Sequence, residues 1–393
     1  MTIGGIFMLA ITNAKIYTMA AGIIEQGTIL TDQGKIIAVG SDVQVPAKAT
    51  VIDGTGRWVF PGFIDAHCHI GMWEEGIGFE GADGNEMTDP VTPHLRAVDA
   101  INPRDEAFAN AVKGGVTAAA TGPGSANVLG GTFVVIKLHG DRVDQMVVKD
   151  PLAMKCAFGE NPKRTYVERK AMPTTRMGMA AMLRETLAKA SEYMQKKAAA
   201  LDDPSKQPAY DMKMEAMIPV LRGEIPLKAH AHRADDIFTA IRIAKEFGVK
   251  LTLEHCTEGH LIASHLAEEG YPAIVGPTFG SKSKFELNNK TFDTPRVLVA
   301  AGVKIAIMTD SPVIPLEYLP MCAALAYKSG LDEIEALKSI SINAADILGL
   351  SDRMGSIEVG KDADLVVWDR HPFDLQASVV STLINGEVVY QRS

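Results

Sequence analysis

Between roughly residues 59 and 349, short apolar runs alternate with stretches of helical periodicity. That alternation is the mark of strands buried on both faces and helices packed against them, hence of a parallel sheet. The runs predicted as strands are Val59 to His69, Val116 to Thr121, Leu152 to Phe158, Ile225 to His230, Lys250 to His255, Ala273 to Gly276 and Lys304 to Asp310, with another within Thr132 to Leu138. Eight such strands close a barrel. Helices are predicted near Met177 to Leu201, Ala234 to Phe247, Leu261 to Glu269, Pro295 to Ala301 and Asp332 to Leu348.

The two ends of the chain read differently. Residues 1–58 hold short strands with Gly-rich turns, in Ala14 to Thr18, Gly27 to Thr31, Lys35 to Val39 and Thr50 to Asp53; Asp32-Gln-Gly-Lys35 is a hairpin turn. Residues 350–393 have the same texture, and Asn385-Gly386 is the strongest hairpin signal in the chain. Neither end can bury both faces of a sheet alone, so the two are expected to pair. The predicted fold class is α/β: a (β/α)8 TIM-like barrel over 59–349 and a small β-sandwich domain built from 1–58 and 350–393.

Composition narrows the function classes. The chain has 393 residues, 47% hydrophobic and 22% charged, which excludes disorder as a general reading. No apolar run approaches the roughly 20 residues of a membrane-spanning helix. Ile6 to Ile11 lacks a positive flank and is read as a strand rather than a signal peptide, so a cytoplasmic location without a membrane partner is expected. The 39 basic and 48 acidic residues give a net charge of -9, and no basic cluster tracks a phosphate backbone. Nucleic acid is therefore not an expected partner. The four cysteines, Cys68, Cys156, Cys256 and Cys322, show no C-x-x-C spacing; those beside candidate ligands are expected to turn away from the cleft as buried thiols.

The polar residues at strand ends carry the chemistry. Phe60 to His69 ends in His67 and His69, two apart on a strand and so on one side, an arrangement suited to a divalent metal. Alone it also describes two histidines on a wet surface. Three further apolar runs end in His230, His255 and Asp310, where no packing reason calls for them. The C-terminal ends of barrel strands are where catalytic residues sit. Lys155 lies inside an apolar strand, where an unpartnered ammonium is costly. Either it pairs with a carboxylate or it is chemically altered; Glu160 is an alternative oxygen donor. Asp65 shares the strand face of His67 and either orients a ligand or forms a structural salt bridge. Loops beyond the strand ends carry Lys163 and Arg164 with Tyr166, Arg233 after His230-Ala-His232, and Lys282 and Lys284, which would suit a carboxylate-bearing substrate. His232 faces the same side as His230 and is expected to contact substrate. The Gly-rich stretch Gly122 to Gly131 is either a cover for the site or a long connection.

Gly62-Phe-Ile-Asp-Ala-His-Cys-His69, His230, His255, Asp310 and the tail Gly355-Ser-Ile-Glu-Val-Gly-Lys-Asp-Ala-Asp-Leu-Val366 together resemble the amidohydrolase superfamily, and within it the imidazolonepropionase and Xaa-Pro dipeptidase related branch. The resemblance covers nearly the whole chain. It implies two divalent ions, zinc first, with manganese, iron or cobalt also accepted. His67 and His69 would hold the more buried ion and His230 and His255 the second. Asp310 would bind the first and shuttle protons, and Lys155 would bridge as a carbamate, with Glu160 as the alternative bridge. The implied reaction is hydrolysis of a C–N amide bond in a dipeptide, N-acyl amino acid or cyclic amide by a metal-bound hydroxide, in a homo-oligomer acting on a small molecule. Two rivals stand beside it. Deaminases of the superfamily usually carry a Glu three residues past the strand-five His; here Arg233 follows His230 at that spacing and Asp235 follows His232. A non-catalytic barrel would be marked by lost ligands, and none is missing.

Overall fold

The computed structural model describes residues 8–393, so the first two residues of the expected strand Ile6 to Ile11 lie outside it. Two eight-stranded sheets organise the chain. In the first, β1 (Leu9–Tyr17), β2 (Ile23–Asp32), β3 (Lys35–Gly40), β4 (Thr50–Asp53) and β5 (Trp58–Pro61) come from the N-terminal end. The barrel strands are β6 (Phe63–Cys68), β7 (Val116–Thr121), β8 (Leu129–Lys137), β9 (Val147–Ala157), β10 (Leu227–Ala231), β11 (Leu251–His255), β12 (Ala273–Val275) and β13 (Ile305–Ile307). The tail returns to the first sheet as β14 (Leu365–Trp368), β15 (Val379–Ile384) and β16 (Glu387–Gln391).

The terminal sheet runs β16-β15-β14-β5-β1-β2-β3, with β4 also paired to β1. Strands from the two ends of the chain meet where β14 lies antiparallel to β5. Asn385 and Gly386, at φ 51° and 75°, make the tight turn between β15 and β16 that their dipeptide predicts. The inner side chains of these strands, among them Ile11, Ile16, Ile29, Val59, Leu365 and Leu383, form a core of their own. The chain is thus a TIM-like barrel joined to a small β domain made by both termini.

The single strand expected over Val59 to His69 is two strands in two sheets. Pro61 ends β5, and the N–H of Gly62 donates to the Asp364 carbonyl, after which the chain enters the barrel. Gly62 is packed so closely on Thr117 that a Cβ would lie 2.0 Å from its hydroxyl. Only glycine lets the chain change sheets there.

The barrel order is β6 to β13 in sequence. All neighbours are parallel except around β8, which is antiparallel to both β7 and β9. The expectation of an all-parallel barrel is corrected at this one strand, and the cause is loop length. A parallel return needs about a dozen residues or more, whereas the connection 122–128 permits only a reversal. Asp65 on β6 accepts from the N–H and hydroxyl of Thr309, just past β13, at 2.9 and 2.6 Å, and so ties the first strand to the end of the last.

Helices over Arg176–Ala199, Ala234–Phe247, Ala263–Glu269 and Thr294–Ala300 lie close to the predicted positions. The long one expected over Asp332 to Leu348 is two, Glu333–Ser339 and Ile342–Ile347. Asp332 caps the first by accepting from the N–H groups of Ile334 and Glu335. Glu160–Glu168, Met212–Leu221 and Leu319–Lys328 are helices without a strong periodic signal. The inner layer of the barrel uses small and branched side chains around one large ring: Ile64, Ala66, Ala118, Ala120, Val135 and the fully buried Phe133.

Barrel and β domain are joined by a buried charge cluster. Lys137, at the end of β8, donates to Asp362 (2.7 Å), Asp364 (2.9 Å) and Asn385. The Asp-x-Asp of the tail motif thus anchors one domain to a barrel strand. No helix among the described residues is long and apolar enough to cross a membrane.

Candidate metal centre

Two groups of side chains converge at the C-terminal end of the barrel strands. His67, His69 and Asp310 bring one ligand-type atom each to within 4.8 Å of one another, and so do His230, His232 and His255. The groups adjoin: the rings of His67 and His255 are 5.5 Å apart, and those of His230 and His255 4.2 Å. A cleft of about 610 Å³ opens over both and is also lined by Trp73, Asn85, Phe279, Lys284 and Lys290.

Each of these five histidines has its Nδ1 engaged by a partner. His67 Nδ1 meets Glu254 Oε2 (2.8 Å), His69 the Gly122 carbonyl (2.7 Å), His230 the Ser125 hydroxyl (2.8 Å), His232 the Thr257 hydroxyl (2.8 Å) and His255 the Gly276 carbonyl (2.8 Å). A carboxylate or carbonyl partner makes Nδ1 the donor and leaves the Nε2 lone pair free, the arrangement behind most metal-ligating histidines. Nε2 of His232 and of His255 is buried without any hydrogen-bond partner. Buried orphan atoms are costly unless something binds them. Burial, reinforced by neighbouring cations or histidines, holds His67, His230, His232 and His255 well below the ordinary imidazole pKa, so they are neutral, as ligands must be. This donor set fits a divalent metal.

Asp310 Oδ1 lies 3.1 Å from His69 Nε2 and 3.5 Å from His67 Nε2. Burial works against its ionisation, but His255, His69 and Lys155 bring its pKa down to about 2, so it is a carboxylate. Asp310 and His255 both have left-handed backbone, at φ 55° and 68°. Such conformations cost about 1–3 kcal/mol each in a non-glycine residue and concentrate at functional sites.

Lys155 is fully buried, with Nζ 3.3 Å from His67 Nε2 and 5.4 Å from the Phe133 ring centre. Burial lowers its pKa to about 8. Of the two readings open for it, its neighbour is an imidazole rather than a carboxylate. Glu160 opens the helix Glu160–Glu168, and its Oε2 accepts from the N–H of Glu286 at 2.9 Å. Among the described residues Asp65 forms no salt bridge: it accepts from the His67 N–H (3.0 Å) and from Thr309, and burial raises its pKa to about 7.

The expected substrate contacts separate. Lys284 lines the cleft, 2.8 Å from Glu286 Oε1 and 2.9 Å from Asn161 Oδ1. Lys163 and Arg164 are exposed on their helix, outside the cleft lining. Tyr166, on the same helix, faces inward and donates to Asn127 (2.6 Å), because its ring is the side chain that can be buried there. Arg233 is held by Asp235 in a two-point pair, and Lys282 by the Asn288 carbonyl. His232 sits within the histidine group rather than beside it. Cys68, Cys156, Cys256 and Cys322 are all buried free thiols, pushed up by burial, to about 12 for the last three.

Three contributions escaped the sequence reading. Glu254 and Lys228 form a fully buried pair (2.8 Å) behind His67. Both are charged residues inside apolar strands, the signal that singled out Lys155. Ser125 and Gly122 reach the site because the reversal before β8 lays 122–128 across the barrel mouth, where these residues are buried. Glu286, in the short 3-10 turn Phe285–Leu287, carried no periodic signal.

A solved amidohydrolase from Thermotoga maritima is 48% identical, with 98% of this chain and all of that one covered at a TM-score of 0.95. The imidazolonepropionase of Sphingopyxis alaskensis is 26% identical over 91% of each chain. Amidohydrolase tasK of Hapsidospora irregularis is 29% identical over 92% of this chain, which spans only 39% of that protein. A Xaa-Pro dipeptidase with bound methionine shares the fold, at 18% identity and a TM-score of 0.58. Residues 58–389 match the amidohydrolase family model, and the chain belongs to that family of hydrolases acting on C–N bonds.

Proposed function

We propose that this protein hydrolyses a C–N amide bond in a small molecule bearing a carboxylate, such as a dipeptide, an N-acyl amino acid or a cyclic amide, at a centre of two divalent ions. The observation supporting this is the convergence of five histidines with engaged Nδ1 atoms and an ionised Asp310 on one cleft. His67, His69 and Asp310 form one pole, His230 and His255 belong to the other, and Lys155, lying beside His67, is the group to be carboxylated between them. Bound divalent ions supply a lowered water pKa and a Lewis acid for the scissile carbonyl.

The chain's own residues do the rest. Asp310, ionised at neutral pH, takes up the proton released on attack and delivers it to the leaving nitrogen. Trp73 packs against His69, ring centres 5.1 Å apart, and shields that side of the cleft. Of the two lysines lining the cleft, Lys284 is paired with Glu286, and Lys290 is the one that suits a substrate carboxylate. Deamination is less well supported, because Arg233, at the spacing where a proton-carrying Glu is usual, is turned into its pair with Asp235.

The test is metal content per chain after purification with zinc and bicarbonate, together with a screen of N-acyl amino acids, dipeptides and cyclic amides. Two ions in the parent, one or fewer in Lys155→Ala, and turnover of at least one of these classes are expected. A single ion unchanged by Lys155→Ala would sink the bridged centre.

A further inference from the structure

The candidate metal centre lies at one mouth of the barrel. At the other mouth, where β10, β11 and β12 begin beside the first half of β9, a second cleft of about 360 Å³ opens against the end of the helix Ile342–Ile347. That volume is within the range of small-molecule sites. Its walls are largely apolar, from Leu152, Pro226, Leu251, Tyr271 and Ile347. Inside the barrel it is lined by Lys228 and Thr252, only 1% and 6% exposed.

Two further lysines line this cleft, Lys149 and Lys250. Lys149 is partly buried and donates to the Leu348 carbonyl at 3.0 Å, with donors to spare. Among the described residues neither lysine forms an ion pair, whereas the acids at the rim have cations of their own. Asp346 pairs with Lys304, and Glu224 lies 3.8 Å from Arg222. Burial and the charge of Lys250 hold Lys149 below the ordinary lysine pKa, against a smaller pull from Asp352. Two ammoniums that oppose each other over an apolar cleft raise the free energy of the empty site, and an anion between them lowers it. Lys228 is committed elsewhere: its Nζ reaches the Ala66 carbonyl (3.0 Å) and Glu254 (2.8 Å), in the layer behind His67.

We propose that this cleft is a second binding site, taking a small organic carboxylate whose anionic group lies between Lys149 and Lys250 and whose apolar part rests on Leu152, Pro226 and Ile347. The apolar walls favour an organic anion over inorganic phosphate, which has no apolar surface to bury there. The hydrolysis proposed above uses neither lysine, and the second site does not depend on that reading.

The experiment is isothermal titration calorimetry of the full-length, zinc-loaded protein with butyrate at fixed ionic strength, repeated with inorganic phosphate. The variants are Lys250→Gln and the double variant Lys149→Met, Lys250→Gln. The parent is expected to bind butyrate, Lys250→Gln to bind it about 10- to 100-fold more weakly, and the double variant to lose this binding while holding the parent's ions. Butyrate bound equally by the parent and the double variant is bound elsewhere, as at the metal centre, and overturns the proposal. A parent that binds no butyrate, or binds phosphate more tightly, overturns it too. Should the double variant not fold, Lys250→Gln, at an exposed position, decides: an unchanged Kd overturns the assignment. Parent crystals grown with butyrate give the pose, a carboxylate within about 3.2 Å of either Nζ supporting the site and butyrate found only at the other mouth overturning it.

Discussion

Glu254 Oε2 stands 2.8 Å from His67 Nδ1, with both side chains fully buried, and thereby dictates which nitrogen of His67 carries the proton. Glu254→Gln can turn either an oxygen or an N–H toward that ring, so the lone pair at Nε2 is no longer assured. Metal affinity at the His67 and His69 pole should fall about 10- to 100-fold. Chelator competition reads this directly, and unchanged retention would show that Glu254 serves only Lys228.

Asp310→Asn keeps the shape of the side chain and removes its ability to take up a proton. Turnover of an accepted amide should drop about 10²- to 10⁴-fold, with an unchanged thermal melt. If kcat survives while only metal content falls, Asp310 is a ligand and not the proton carrier.

Lys137 is 4% exposed and meets two carboxylates between the barrel and the terminal sheet. Lys137→Met leaves Asp364 buried without its cation, while Asp362 keeps Lys35 and Arg353, and should cost about 3 kcal/mol, seen as a lower urea midpoint. Ion content of the folded protein should equal the parent's. A stability loss under about 1 kcal/mol would mean that water reaches the cluster.

Gly159→Ala places a methyl group against Glu286 on a backbone that L residues avoid. A loss of about 1–3 kcal/mol in stability is expected from the conformation alone. An unchanged urea midpoint would show that the segment around Gly159 shifts to admit the methyl group.

Stripping the ions with chelator should lower the melting temperature, and zinc should restore it, because ligands that bind only the folded state stabilise it by mass action. A chelator-treated protein with the parent's melting curve would show that the folded chain holds no tightly bound ion.

The parts of the site legible in the sequence are those at the ends of strands. His67, His69, His230, His255 and Asp310 each interrupt or end an apolar run, and polar residues there have no reason to exist in a core. Lys228 and Glu254 sent the same signal more faintly, since the histidine two or one residues later drew the reading. The eight strands were visible as apolar runs. The direction of β8 was not, although the short connection 122–128 carried the information. Ser125 and Gly122 became legible only through that reversal. Glu286 could not be found from periodicity, because so short a turn places its residues by tertiary contact; the reciprocal pairing with Glu160 joins positions far apart in the chain. Lys163, Arg164, Lys282 and Arg233 illustrate the opposite error: a cation near a strand end in sequence need not face the cleft in space.

The pairing of β5 with β14 sets an order of events during synthesis. The first sixty or so residues leave the ribosome with one edge of their sheet bare, and its partner is translated only after the whole barrel. Until Leu365 to Trp368 arrive, β5 presents unpaired backbone groups beside Phe60 and Trp58, a surface that invites pairing with other chains. The last strands made therefore seal the edge left by the first.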